Sequence, residues 1–186
     1  QQAVCAEPGQ LLSAIDAADG VFLNGGDQSL LLAALHHADG RPSAELKRLL
    51  ERLRDGQLVL GGTSAGSAVQ SARAPTGVML SNGSSRQALV DGAFAGPPPA
   101  CPRRTAKCNP EQLTYAREGG LGSFEAGVVD THFSARGRQW RLAVLLDQLE
   151  LPLGLGVDET TALQVFQSST GVRLNVQGSG AVHWLL

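Results

Sequence analysis

No excess of either charge marks this chain. Fifteen Lys and Arg stand against seventeen Asp and Glu, a formal net charge of −2 at pH 7. That balance excludes a whole-molecule field able to hold the chain on nucleic acid or an anionic membrane, while leaving room for a local basic patch. Long apolar runs are also missing. None approaches the roughly 20 residues that a bilayer-spanning helix needs, and the segment from Gln1 to Gln10 lacks the charged-then-apolar layout of a secretion signal. The chain therefore reads as soluble, with neither nucleic acid nor membrane as a partner. It opens on Gln1 rather than Met, so the start of a natural polypeptide stays open at this stage. Cysteine is scarce: three permit at most one internal disulfide. Cys101 and Cys108 flank a short Pro- and Arg-rich segment, and Cys5 lies far from both. A Cys101–Cys108 bridge would suit a secreted protein and two free thiols a cytosolic loop, so the compartment is undecided, with the cytoplasm slightly favoured. No internal repeat is visible.

What is present fits one compact domain, since single domains run to roughly 100–200 residues. Leu11, Leu12, Ile15 and Ala18 have helical spacing, and Asp19-Gly20 breaks the pattern before the short apolar run Val21-Phe22-Leu23. A second helix follows over Leu30 to His37, with Asp27 as its cap. A third runs from a Ser43 cap through Arg54, with Leu46, Leu49, Leu50 and Leu53 on one face. Leu58-Val59-Leu60 reads as a strand. Residues 73–123 are rich in Gly, Pro, Ser and Ala and read as one long loop or insertion with a short helix near 84–89, a lid candidate. A strand at 126–129 and a helix over roughly 137–149 come next. The tail is β-rich, at 155–157, 162–166, 172–176 and 182–186. Strands alternating with amphipathic helices imply an α/β chain with a mostly parallel sheet, whose functional loops lie at the carboxyl ends of the strands.

Two glycine-rich segments occupy such ends, Asn24-Gly25-Gly26-Asp27-Gln28 and Gly62-Thr63-Ser64-Ala65-Gly66. The second has the form Gly-x-Ser-x-Gly between a short strand and a helix-compatible stretch. Small flanking residues permit the sharp turn that lifts a serine hydroxyl out of a sheet and let a backbone N–H approach a developing oxyanion. Ser64 is thus the candidate nucleophile; an ordinary Gly-rich turn is the bland alternative. A serine needs a base. His36 and His37 fall in or at the end of a helix and His183 in a terminal strand, whereas His132 follows a buried strand at the sheet edge that carries Ser64. Asp158, Glu159 and Asp130 are all candidates for the acid that orients the imidazole. After His132 come Arg136, Arg138 and Arg141, around the first turns of a helix. Cations there oppose the macrodipole and gain little from local structure, which together with the adjacent His132 suits them to a substrate carboxylate; a solvated basic surface, or internal pairing with Glu and Asp, is the bland alternative.

Four ordered segments resemble the cyanophycinase and dipeptidase E family of serine peptidases, and its cyanophycinase branch in particular: Gly25-Gly26-Asp27-Gln28, Gly62-Thr63-Ser64-Ala65-Gly66, Asp130-Thr131-His132-Phe133 with its trailing arginines, and Gly156-Val157-Asp158-Glu159-Thr160-Thr161-Ala162-Leu163. The resemblance implies a three-layer α/β sandwich of the class I glutamine amidotransferase or flavodoxin-like kind. It implies Ser64 as nucleophile, His132 as base and Glu159 as third member, without metal or cofactor. It also implies Gly26 and Ala65 as oxyanion-hole donors, and Gln28, Asp130, Thr131, Arg136, Arg138 and Arg141 as substrate contacts. The implied substrate is an acidic, aspartyl-containing peptide, cyanophycin among them, cleaved to β-Asp-Arg dipeptides; an aspartyl dipeptidase and a non-catalytic binding domain are the alternatives. Related enzymes often dimerise, so a second copy is carried as a partner. Thr131 stands where the family commonly has the longer Gln. Family members also place sheet strands before the first glycine motif, so the expectation is that N-terminal strands are missing from this chain or supplied by another.

Overall fold

The computed structural model describes residues 9–101, 103–105, 108–168 and 171–186. Helix α1 (Gln10–Ala17) buries Ile15, and a bend at Asp19 leads into strand β1 (Gly20–Leu23). Asp27 caps helix α2 (Gln28–Ala34), its carboxylate accepting from the Ser29 N–H at 2.8 Å. Ser43 caps helix α3 (Ala44–Arg54), its hydroxyl accepting from the Leu46 N–H at 3.2 Å. Each cap satisfies a donor that the first helical turn leaves open, and such caps contribute about 1 kcal/mol. Helix α3 buries Leu46 and Leu49, and the guanidinium of Arg52 donates to the carbonyls of Ile15, Asp16 and Gln57, tying α3 to the end of α1.

Strand β2 (Val59–Gly62) runs parallel to β1, with Gly20 opposite Val59 and Leu23 opposite Gly62. Helix α4 (Ala65–Ala68) follows at once. Residues 73–123, expected to be largely loop, hold regular structure: strand β3 (Met79–Asn82), helix α5 (Ser85–Asp91), strand β4 (Ala93–Ala95) and strand β5 (Leu113–Ala116). Strand β5 lies between β3, antiparallel to it, and β4, parallel to it. Strands β3 and β5 carry no alternation because successive residues are buried, Met79 with Leu80 and Leu113 with Thr114 and Tyr115. Cys101 and Cys108 form a disulfide, their Cα atoms 6.1 Å apart, while Cys5 lies outside the described residues.

Strand β6 (Val128–Thr131) is buried at every position. Helix α6 (Gln139–Leu149) then leads to strand β7 (Gly154–Val157), parallel to β6. Strands β8 (Thr161–Ser168) and β9 (Gly171–Gly178) form an antiparallel hairpin, and β10 (Val182–Leu185) returns antiparallel to β7. The architecture is mixed α/β, with parallel pairs β1–β2 and β6–β7.

One core joins Leu80, Leu113 and Tyr115 to Phe133 and to Leu142, Leu145 and Leu146 of α6. Another joins Ile15, Leu46, Leu49 and Leu58 to Val69, Met79 and Leu121. Hydrogen bonds from the segment after α4 tether it to β6. The Ser71 hydroxyl accepts from the Val129 N–H at 2.9 Å, and the Ala72 N–H donates to the Gly127 carbonyl at 2.8 Å. The helix that begins beside Ser64 is thereby fixed to the strand that leads into His132.

Candidate active site

The turn from β2 to α4 places Ser64 at φ 53° and ψ −117°, a conformation that non-glycine residues seldom adopt. Two glycines make the turn feasible. A Cβ on Gly62 would lie 2.2 Å from the Gly66 carbonyl oxygen, and one on Gly66 would lie 2.0 Å from that of Leu23. The Ser67 hydroxyl donates to the Gly62 carbonyl at 2.7 Å and the Gln70 amide to that of Gly66 at 2.9 Å, holding the bend. His132, just past β6, has φ 51°, and Thr160, just past Glu159, has φ 54°. Such backbone costs about 1–3 kcal/mol per residue and persists where the surroundings over-determine it, typically at functional sites.

These three turns converge. Nε2 of His132 lies 2.8 Å from Ser64 Oγ, and Nδ1 lies 2.6 Å from Glu159 Oε1. With the Nδ1 proton donated to the carboxylate, Nε2 is free to accept from the serine hydroxyl, the tautomer that general-base action requires. The imidazole is 23% exposed and the Glu159 side chain 52% exposed, so the triplet opens to solvent at its acidic end.

The other candidate acids have different partners. Asp130 is 1% exposed and takes a bidentate contact from Arg141, Nε to Oδ2 at 2.7 Å and Nη2 to Oδ1 at 2.5 Å, with Arg138 3.3 Å from Oδ1. Asp158 accepts from the Ser134 N–H at 2.9 Å, the Ala181 N–H at 3.3 Å and His183 Nε2 at 3.1 Å. Burial pushes the Asp158 carboxyl up, but the hydrogen bonds from Ser134, His183 and Ala181 outweigh it and hold the pKa at about 2. Of the remaining histidines, His36 is engaged by the Leu32 carbonyl and by Arg73, and His37 is exposed.

The three arginines have three settings. Arg141 is buried on Asp130 and also donates to the Gly83 carbonyl at 2.7 Å. Arg138 donates to the Thr131 carbonyl at 2.7 Å. Its pKa falls to about 10, first through burial and then through Arg141 beside it. Arg136 is exposed and has no ion pair among the described residues. One carboxylate thus faces two guanidiniums, with a third cation at the rim, an excess of positive charge on this side of Ser64. Gln28 donates its amide to the Leu80 carbonyl at 2.8 Å and the Ser81 carbonyl at 3.3 Å, binding α2 to β3. Thr131 is buried.

A cavity of about 80 Å³ at the serine is lined by Gly26, Gln28, Ser64, Ala65, Asp130, Thr131 and the three arginines, among others. A larger one, about 280 Å³, shares Gln28, Arg138 and Arg141 with it and continues past Ser81, Asn82, Ser84 and Glu111. Sequence reading did not single out this second set. Its members sit in the segment taken for loop, and no local pattern shows that they meet. Among the described residues no three His, Cys, Asp or Glu side chains converge in a set suited to a metal ion. No helix among them is long and apolar enough to cross a membrane.

No protein-family model matches the chain. Curated proteins do. It is 32% identical over 176 residues to the cyanophycinase of Trichormus variabilis, covering 95% of this chain and 48% of that protein. It is 32% identical over 172 residues to the cyanophycinase of Geminocystis herdmanii, covering 90% and 49%. With the cyanophycinase of Synechococcus elongatus the identity is 30% over 177 residues, covering 95% and 44%. The chain spans about half the length of the curated relatives it matches.

Proposed function

The chain belongs to the cyanophycinase-like family, and from that premise we propose that it carries the catalytic machinery of a serine-type exopeptidase acting on acidic, aspartyl-containing peptides. Ser64 Oγ attacks the carbonyl carbon of the scissile amide while His132 Nε2 takes the hydroxyl proton. Glu159 orients the imidazole and stabilises the imidazolium that forms. The oxyanion lies toward the backbone N–H groups of Gly26 and Ala65. His132 then delivers its proton to the departing amine, and a water molecule, activated by the same imidazole, releases the acyl group from Ser64.

The observation that carries this reading is the run of contacts from Ser64 Oγ through His132 to Glu159, at 2.8 and 2.6 Å. The electropositive cavity beside it suits substrate carboxylates. Arg136 and Arg138 are the cations available to a ligand, while Arg141 and Asp130 act as the buried base that aims Arg138. Cyanophycin, an aspartate backbone bearing arginine side groups, has the required carboxylates, and β-Asp-Arg is its expected product. The layered, glutamine amidotransferase-like arrangement and a dimeric state belong to the same proposal. The parallel pairs β1–β2 and β6–β7, whose strands lead within three residues to Gly26, Ser64, His132 and Glu159, support the former.

The test is a mass-spectrometric product assay on cyanophycin with the natural polypeptide that contains this chain, beside its Ser64→Ala variant. The variant should lose activity by about 10⁴-fold or more, as removal of a triad nucleophile does. Release of β-Asp-Arg by the variant at the original rate would remove Ser64 from the mechanism.

A further inference from the structure

The larger cavity holds a carboxylate that the proposed reaction does not use. Glu111 lines its wall, opposite in sign to the arginines shared with the smaller cavity. Asp130 is committed to Arg141 and Arg138. Glu111 takes part in no ion pair among the described residues; its carboxylate meets the Ser84 hydroxyl at 3.3 Å. Its backbone, in contrast, is held on every side. The Glu111 N–H donates to Asn109 Oδ1 at 3.0 Å, and its carbonyl accepts from the Ser84 N–H at 3.1 Å. Asn82 Nδ2 donates to the carbonyls of Pro110 and Gln112 on either side, at 2.7 and 3.3 Å. The sequence thus fastens a turn to the end of β3 so that one acidic side chain stands at the cavity wall with no cation paired to it among the described residues.

Two cavities that share Gln28, Arg138 and Arg141, with Arg136 on the wall of one and the carboxylate of Glu111 on the wall of the other, fit a ligand that carries charges of both signs. We propose that Glu111 is a specificity-determining residue that pairs with a cationic side chain of the substrate, while Arg136 and Arg138 take its carboxylate. The inference rests on the proposed peptidase reading and deepens it, assigning the discrimination between cationic and neutral side chains to one residue. The Ser84 hydroxyl and the amide oxygen of Asn82 complete a polar wall able to accept alongside the carboxylate. A charge-assisted contact of this kind, removed from a partly open chamber, changes affinity by about tenfold.

The experiment compares the aspartyl peptide β-Asp-Arg-containing substrate with an isostere carrying citrulline in place of arginine, which keeps the shape and removes the charge. The natural polypeptide should prefer the arginine peptide. Glu111→Gln should raise KM for it about tenfold with kcat unchanged and leave the citrulline peptide unaffected, and Glu111→Lys should deepen the loss for the arginine peptide alone. Equal effects on both peptides, or none on either, would overturn the assignment. The same pair is measured by equilibrium binding in a Ser64→Ala background, which needs no turnover. An arginine preference that Glu111→Gln abolishes supports the proposal even if neither peptide is cleaved, a result that would then count against the hydrolytic reading alone. Indifference to the charge in that assay sinks the proposal whatever the catalytic result.

Discussion

Asp158 lies outside the Ser64–His132–Glu159 contacts and holds the turns that carry two of those residues. Ser134, whose N–H it accepts, follows His132 by two residues, and Glu159 is its own neighbour, so one carboxylate joins the turns of His132 and Glu159. The contact from His183 adds the last strand to the same clamp. Its pKa of about 2 lies below the ordinary 3.8, which fixes the sign of a pH effect. A depressed carboxylate contributes stability that is complete above its unfolded pKa and is lost as pH falls through the folded one. Asp158→Asn should therefore be less stable than the parent above about pH 4, with the gap closing towards about pH 2; urea denaturation across that range measures it. The variant's kcat should fall several-fold with little change in KM, since the clamp positions His132 and Glu159 without meeting substrate. A stability gap that persisted at pH 2 would assign the loss to packing rather than to charge.

At the level of elements, the segment 73–123 separates two roles, lid and core. Leu113 of β5 is fully buried in the cluster that also holds Phe133 and Leu142. Leu113→Ala should cost about 2–5 kcal/mol of global stability, the range for a large-to-small change in a packed interior, read as a shift in the thermal or urea midpoint. A lid would leave that midpoint where it is. The segment was opaque in the sequence because β3, β4 and β5 hold only short runs whose pairing is non-local: β4 meets β5 across the disulfide-bearing stretch, and burial on consecutive residues erases any period. The elements around Ser64, His132 and Glu159 were readable for the opposite reason. Each follows a short apolar strand and a turn, and the caps at Asp27 and Ser43 are local signals. The arginines lay in between. Their presence after His132 was plain, but the burial of Arg141 on Asp130 depends on where α6 begins and which way it packs, and neither is written in the spacing of the residues.

For the molecule as a whole, the uncovered side of the β1–β2 pair decides how this chain behaves in isolation. Parallel sheets are ordinarily covered on both faces. Here Val21, Leu23 and Leu60 pack inward on the cluster containing Leu46 and Leu49. The opposite face presents Phe22 at 63% and Val59 at 73% exposure, with Gly20 and Gly61 opposite them in register. Phe22 lies over Gly61, where an added Cβ would come within 2.9 Å of its ring, so the aromatic surface is spread across the strand pair rather than folded away. Each such side chain forgoes about 1.5–3 kcal/mol of burial, and an exposed apolar face of this kind promotes association. The 186-residue chain should therefore enhance the fluorescence of an apolar-surface dye and sediment in a concentration-dependent way. Phe22→Ser combined with Val59→Thr should lower both signals while the circular-dichroism spectrum stays the same, because neither residue belongs to a core cluster. Dye binding undiminished in that double variant would move the exposed surface elsewhere, to Trp140 or to the hairpin residues Val172 and Val176, which are also half-exposed.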